Sequence, residues 1–150
     1  MSVTLDASVW LSSLSPTETG HRASSDLLAA LLAKEIPLHQ PGLFVVEVSA
    51  TIARRTRNRK LALDASRALL AWPTLVMHEL DHAAAAEATT VAAACALRAA
   101  DAVYVGTARR NGAVLVTLDE EMRERGSEVV ETVSPAEWLR KVASSKSGRM

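Results

Sequence analysis

Four acidic residues stand at the ends of apolar runs, where solvation argues against a charge. They occur in the segments VTLDASVW, LFVVEVSA, LRAADAVYV and VLVTLDEE and are Asp6, Glu47, Asp101 and Asp119. A lone buried carboxylate is costly, because desolvation disfavours its charged form. A shared divalent cation would remove this conflict, and oxygen ligands without paired cysteines suit Mg²⁺ or Mn²⁺ better than Zn²⁺. The pattern therefore predicts one magnesium or manganese site.

The chemistry expected of such a site is hydrolysis of a phosphodiester bond. A bound divalent ion lowers the pKa of a water molecule and stabilises the leaving oxygen of an in-line displacement. No histidine base is then required, and the products are expected to carry 5′-phosphate and 3′-hydroxyl ends. The hydroxyls of Ser8 and Thr117 lie two residues from Asp6 and Asp119 respectively and are predicted to orient acids or waters.

Each acid also has an interpretation that involves no metal. Asp6, Asp101 and Asp119 each precede a predicted helix and would serve as its N-cap. Glu47 lies inside a predicted helix, so its alternative is a pairing with an arginine at the rim of the fold. Topology favours the joint site, because Asp6 and Asp119 both follow apolar strands and the carboxyl ends of parallel strands meet in one crevice.

Alternating strands and helices must position these acids. Short strands are predicted at 3–5, 36–39, 74–77, 113–116 and 128–133, and helices at 7–14, 24–34, 43–57, 61–72, 81–97, 102–110 and from Ser134-Pro135 onward. This order predicts a three-layer α/β/α fold, in which helices cover both faces of a right-handed, doubly wound and mainly parallel sheet. The strand ends are the expected site.

Composition limits the size and setting of the protein. With 150 residues, 49% of them hydrophobic, we expect one domain at 1–143 and a disordered tail at 144–150. Its one cysteine, Cys95, excludes an internal disulfide framework and favours a reducing compartment. The N-terminus lacks the features of a signal peptide, and no apolar stretch approaches the roughly 18 residues that span a bilayer. A cytoplasmic protein without membrane contact is therefore predicted.

Charge is balanced over the whole chain but clustered locally. Seventeen basic and seventeen acidic residues give a formal net charge of zero, so no global positive field attracts a polyanion. The basic residues predicted to contact RNA phosphates or an acidic partner segment are Arg54, Arg55, Arg57 and Arg109, with Arg59, Lys60 and Arg110 beside them. The alternative is a solvated helix end, which the helix dipole favours.

A second motif points to different chemistry. His78-Glu79-Leu80-Asp81-His82 satisfies H-E-x-x-H, in which two histidines one helical turn apart bind zinc beside a glutamate base. The residues before it favour a strand, and Asp81 favours the cap of the next helix, so the two histidines are not expected to share a helix. A zinc hydrolase that uses His78, Glu79 and His82 is kept as an alternative.

Taken together, these segments resemble the PIN-domain ribonucleases, and specifically the VapC type of toxin from toxin–antitoxin pairs. The similar pieces are LDASVWL, FVVEVSATIARR, LRAADAVYVGTARRNGAVLVTLDEEM and VSPAEWL, which follow one another over nearly the whole chain. The resemblance implies a Mg²⁺- or Mn²⁺-dependent endoribonuclease whose ligands fall on Asp6, Glu47, Asp101 and Asp119, with Asp6 and Asp101 most often touching the metal directly.

The resemblance also implies partners. They are an RNA substrate, a small antitoxin protein that neutralises the toxin, and a second copy of the chain in a homodimer. The main alternative keeps the PIN fold but makes the acids a docking pocket for a basic partner peptide, with no catalysis.

Overall fold

Thirteen elements make up residues 1–148, the part of the chain that this computed structural model describes. The strands are β1 (Val3–Leu5), β2 (Leu38–Pro41), β3 (Leu75–His78), β4 (Val114–Val116) and β5 (Thr132–Val133). The helices are α1 (Ala7–Ser13), α2 (His21–Ala33), α3 (Leu43–Thr56), α4 (Arg59–Leu70), α5 (His82–Cys95), α6 (Ala99–Arg110), α7 (Glu120–Gly126) and α8 (Pro135–Ser147).

All strand pairs are parallel, and their spatial order is β3-β2-β1-β4-β5. The chain builds the sheet outward from β1 to β3 and then returns to the other side of β1 with β4. Because crossovers between parallel strands are right-handed, this reversal places helices on both faces. The predicted three-layer α/β/α fold is confirmed, and the reversal between β1 and β4 marks the crevice where such sheets bind ligands.

Aromatic side chains pack against one another between the helices that surround this crevice. Trp10 of α1 contacts Phe44 of α3 edge to face at a centroid distance of 5.9 Å, and Phe44 contacts Tyr104 of α6 in the same way at 6.5 Å. Edge-to-face pairs add to the stabilisation that burial of the rings provides. Since the three helices follow or carry Asp6, Glu47 and Asp101, this packing fixes the backbone of three of the four acids.

The side chain of Gln40 completes the pairing of β1 with β2. The strands share a single backbone register pair, Val3 with Leu38. Two residues further on, the fully buried Gln40 side chain accepts a hydrogen bond from the Leu5 N–H at 2.7 Å and donates one to the Leu5 carbonyl at 2.8 Å. Both backbone groups of Leu5 that face β2 are thereby satisfied. Gln40 therefore holds the residue that directly precedes Asp6.

The structure corrects two strand boundaries. The strand predicted at 36–39 begins at Leu38, because Glu35 adopts a left-handed backbone (φ 51°) and the Ile36 N–H bonds back to Leu31 to close α2. The strand predicted at 128–133 is only β5, because the N–H groups of Val129 and Val130 both bond to the Gly126 carbonyl in a turn after α7. Local hydrogen bonds thus outcompete the strand preference of these apolar residues.

The tail predicted at 144–150 is partly helical. Helix α8 begins with a capping box between Ser134 and Glu137 and continues through Ser147. The hydroxyls of Ser144 and Ser145 bond to carbonyls one turn earlier, which lets these polar residues stay within the helix. The helix therefore passes the predicted domain boundary at 143, while residues 149–150 lie outside the described part of the chain.

Helices α5 and α6 pack closely on one another, because alanines and Gly106 line their contact. The backbone of Ala88 lies 3.6 Å from the position of a Cβ built on Gly106.

Taken singly, no helix within residues 1–148 has the length and apolarity to cross a membrane. Helices α5 and α6 pass that test only as a pair, and they are bent by 113° at their junction.

Candidate active site

Asp6 lies at the centre of the candidate site. It directly follows β1, is 9% exposed, and accepts hydrogen bonds at Oδ2 from Ser8 Oγ at 2.6 Å and from Thr117 Oγ1 at 3.0 Å. Asp6 takes the extended N-cap backbone of α1, but its side chain forms no capping bond with that helix, so capping does not use its carboxylate. Within residues 1–148 no donor reaches its other oxygen, Oδ1, which leaves that atom free for a ligand.

Thr117 connects the acid after β1 with the acid after β4. Its buried hydroxyl donates to Asp6 and accepts a hydrogen bond from the Asp119 N–H at 3.0 Å. The Ser8 hydroxyl similarly accepts from the Leu118 N–H at 3.3 Å. The two hydroxyls chosen from the sequence therefore hold Asp6 against the loop that carries Asp119.

Arg98 bridges two of the acids. Its Nε lies 3.3 Å from Asp101 Oδ2, and its Nη2 lies 3.4 Å from Asp119 Oδ2. Asp101 lies in the first turn of α6, which begins at Ala99 because Arg98 takes the extended N-cap backbone; Asp101 is therefore not a cap itself. Asp119 does cap α7, accepting from the Met122 N–H at 2.9 Å through Oδ1. Sequence analysis did not select Arg98, although its i, i+3 spacing from Asp101 is the available signal.

Glu47 is held by a tyrosine rather than by the arginine that its alternative interpretation proposed. Its Oε2 accepts a hydrogen bond from Tyr104 Oη at 2.7 Å. Tyr104 lies on α6 and is fully buried, and Glu47 is half-buried on α3. Burial raises the pKa of Tyr104 far above its usual range, so the phenol stays neutral and donates. Sequence analysis missed Tyr104, because 57 residues separate it from Glu47.

The acids share one electrostatic field. Burial raises the pKa of Glu47; the Tyr104 hydrogen bond acts against this, and the charges of Asp6 and Asp101 raise it further. Burial likewise raises the pKa of Asp101; Arg98 opposes that shift, while Asp6 and Asp119 add to it. A carboxyl group whose pKa is raised by folding destabilises the fold when it is ionised. This destabilisation is lost as the pH falls through the raised pKa, because the group then becomes protonated. At neutral pH the cluster therefore favours any cation that can enter it.

The four acids, all within residues 1–148, are not arranged as a complete set of ligands for one metal ion. Among residues 1–148, no three His, Cys, Asp or Glu side chains are placed to hold one metal ion together. Three of the acids have other partners, since Tyr104 holds Glu47 while Arg98 holds Asp101 and Asp119. Mg²⁺ needs only one or two direct carboxylates, because it keeps several of its waters.

The H-E-x-x-H string does not form a zinc site in this fold. His78 ends β3, whereas Asp81 caps α5 through the Ala84 N–H at 2.8 Å and His82 is the first residue of α5. His78 Nε2 instead lies 2.8 Å from Nδ1 of His39, with the two rings stacked. Burial and the neighbouring His78 lower the pKa of His39. The two histidines of the motif are therefore not one turn apart on a helix, as the zinc pattern requires.

The basic residues selected from the sequence lie on the surface. Arg54, Arg55 and Arg57 are exposed at the end of α3, where Arg55 pairs with Glu18 at 3.4 Å, and Arg109 pairs with Glu87 at 3.5 Å. Within residues 1–148 none of the four forms an ion pair with the acids of the site. Their role in binding RNA or a partner stays a prediction.

Tyr104→Phe tests how the phenol tunes Glu47. Removal of the hydroxyl takes away a hydrogen bond that stabilises the carboxylate, so we expect the pKa of Glu47 to rise further, with a loss of about 1 kcal/mol in stability. Titration of the Glu47 carboxyl carbon by NMR measures the shift. The matched control is Glu137, whose pKa is lowered by its hydrogen bonds with Ser134 in the α8 capping box and should not change in this variant. An unchanged Glu47 titration would contradict the role given to Tyr104.

Comparisons with known proteins concern the fold of the chain. A family model described as the PIN domain matches residues 3–127. VapBC2 from Rickettsia felis, bound to a DNA fragment from its promoter, has a similar structure with a TM-score of 0.70 and 10% identity, covering 89% of this chain and 98% of that one. FitAcB from Neisseria gonorrhoeae is also similar, with a TM-score of 0.69 at 19% identity. The match covers 89% of this chain and 97% of that one.

A third similar structure is VapC20 from Mycobacterium tuberculosis, described as a toxin that cleaves the sarcin-ricin loop. Its TM-score is 0.68 at 16% identity, with 83% of this chain and 95% of that chain covered. A search of the curated proteins finds no match.

Proposed function

Because the chain belongs to the PIN-domain family, we propose that it is a metal-dependent endoribonuclease, the toxin of a type II toxin–antitoxin pair. The observation that carries this proposal is the placement of Asp6, Glu47, Asp101 and Asp119 in one electrostatic field at the switch point of the sheet. Clustering of one buried and three partly buried acids without a ligand would bring no gain in stability, whereas a cation site gives each of them a function.

The residues fit a magnesium or manganese ion. Asp6 and Asp101 would bind it directly, because Asp6 has a free oxygen and Asp101 lies in the same field. Glu47 and Asp119 would complete the site directly or through water. When bound, the ion would supply activation of water and stabilisation of the leaving oxygen in phosphodiester hydrolysis.

The chain's own residues orient the reacting groups. Ser8 and Thr117 hold Asp6 by one carboxylate oxygen and fix the rotation of its side chain. Glu47, whose pKa is raised, is suited to take up a proton at Oε1, since Tyr104 occupies Oε2. These supporting contacts keep the acids ready before RNA arrives.

Partners follow from the same proposal. The Rickettsia felis structure contains a complex described as VapBC2, and we extend the pairing to this chain as a small cognate antitoxin. A homodimer in the cytoplasm, with the exposed Arg54, Arg55 and Arg57 contacting RNA or the antitoxin, belongs to the proposal as well.

One alternative rests on a specific observation. Arg98 already pairs with Asp101 and Asp119, so the acids could serve to bind a basic peptide without any catalysis. Both functions involve an acidic pocket, but only the nuclease requires a metal and turnover. Cleavage of RNA by purified protein therefore separates them.

The test combines an RNA cleavage assay with thermal melting. We expect Mn²⁺ or Mg²⁺ to start cleavage, EDTA to stop it, and the products to carry 5′-phosphates. At a metal concentration ten times Kd, the melting temperature of the parent should rise by about 3–6 °C, and that of Asp101→Asn should rise less. Asp26→Asn, which removes a 61% exposed acid paired to Arg22, is the matched control and should behave like the parent. Metal-independent cleavage, or equal melting shifts in Asp101→Asn and the parent, would refute the proposal.

A further inference from the structure

Within residues 1–148, Arg98 is the basic residue that forms ion pairs with acids of the site. We propose that its guanidinium is a built-in competitor of the divalent metal, which occupies Asp101 and Asp119 at rest and has to leave them when the ion binds. This inference rests on the proposed function, because it concerns regulation of the same site. It makes the metal affinity of the protein depend on a residue that is not itself a ligand.

The contacts of Arg98 use the oxygens that a metal would need. Both ion pairs end on Oδ2 atoms, one on Asp101 and one on Asp119. The other oxygen of Asp119, Oδ1, already caps α7 through the Met122 N–H. A cation on Asp119 would therefore share an oxygen with the α7 cap or with Arg98, and charge repulsion disfavours sharing with the guanidinium. Asp101 keeps only one oxygen without a partner within residues 1–148.

The arginine is the more exposed partner in this contact. The Arg98 side chain is 72% exposed, whereas Asp101 is 16% and Asp119 33% exposed. Exposed ion pairs contribute little to stability, because water screens them and the long side chain loses entropy when it is held. The guanidinium can therefore move into water while the acids stay in place.

Charge explains why the arginine occupies this position at rest. Asp101 lies in the field of Asp6 and Asp119 and is disfavoured as an anion by burial. A monovalent guanidinium at 3.3–3.4 Å offsets part of this repulsion. A divalent ion offsets more of it and needs less space, so the two cations compete for the same negative charge.

The competition is measured by calorimetric titration of the protein with MnCl₂ and MgCl₂. We expect Arg98→Gln to bind either ion about 3- to 10-fold more tightly than the parent, as two exposed ion pairs allow. Arg22→Gln is the matched control, because it removes the same charge from an arginine that is 94% exposed and paired only to Asp26. Its affinity should stay within about twofold of the parent.

NMR of the parent protein tests the displacement directly. The Arg98 Nε–Hε signal should shift during a MgCl₂ titration with the same midpoint as the heat of binding, while the Arg22 signal should not. This second measurement needs no variant and is unaffected if Arg98→Gln folds poorly.

The outcomes separate the inference from the proposed function. Equal or weaker metal binding in Arg98→Gln, or an Arg98 signal that ignores the metal, would overturn the competition while leaving the nuclease intact. Binding of metal by Arg98→Gln but not by the parent would support the competition in its strongest form. An absence of metal binding in both proteins would reject the inference together with the metal-dependent function.

Discussion

Asp6→Asn is expected to lower metal-dependent cleavage of RNA by about 10²- to 10³-fold, the range seen when one preorganised charged or polar group is removed from a catalytic site. The substitution keeps the shape of the side chain but removes the charge at the centre of the cluster. The amide oxygen can still accept the bonds from Ser8 and Thr117, because both end on one carboxylate oxygen, whereas an NH₂ group replaces the other oxygen and cannot bind a cation. Initial rates of cleavage of a labelled RNA at saturating Mn²⁺ measure the effect.

The control for Asp6→Asn must separate loss of chemistry from loss of structure. Asp26→Asn makes the same chemical change on the exposed face of α2 and should retain the parent rate. Melting of metal-free Asp6→Asn should equal or exceed that of the parent, because one of the repelling charges is gone. A variant that folds and still cleaves RNA at the parent rate would show that Asp6 has no part in the reaction.

Local sequence patterns were enough to place two of the acids. The apolar runs before Asp6 and Asp119 gave short buried strands, and parallel strands necessarily bring their carboxyl ends together. The pattern predicts Asp101 just before its helix, whereas it lies within the first turn, because Arg98 takes the N-cap position three residues earlier. Boundaries depend on which residue takes the extended cap backbone, and pattern alone does not determine that choice.

The contacts of Tyr104 with Glu47 and of Arg98 with Asp119 cannot be predicted from such patterns. Tyr104 reaches Glu47 across 57 positions, and the arginine that holds Asp119 lies 21 positions before it. Both pairs form only after the sheet and helices have assembled, so neither leaves a periodic signal. The acids and the two hydroxyls that hold Asp6 are therefore predictable from the sequence, whereas Tyr104 and Arg98, which contact the other three acids, are not.

Gln40→Met is expected to destabilise the fold by about 2–4 kcal/mol, the largest loss of stability among the substitutions considered. Methionine matches the length of glutamine but can neither accept from the Leu5 N–H nor donate to the Leu5 carbonyl. Both backbone groups would lie unpaired between two buried strands, and each such group costs about 1–3 kcal/mol. Urea unfolding followed by circular dichroism measures the free energy of unfolding.

We expect Gln40→Met also to weaken metal binding at the site. Leu5 directly precedes Asp6, so β1 is expected to lose its fixed end and the metal-induced rise in melting temperature should shrink. Asn111→Ala is the matched control, because it removes one partly buried side-chain hydrogen bond, to Thr107 at the end of α6, and should cost less than about 1 kcal/mol. If Gln40→Met were as stable as Asn111→Ala, water or a backbone shift would have to satisfy Leu5, and Gln40 would not be what holds β1 beside β2.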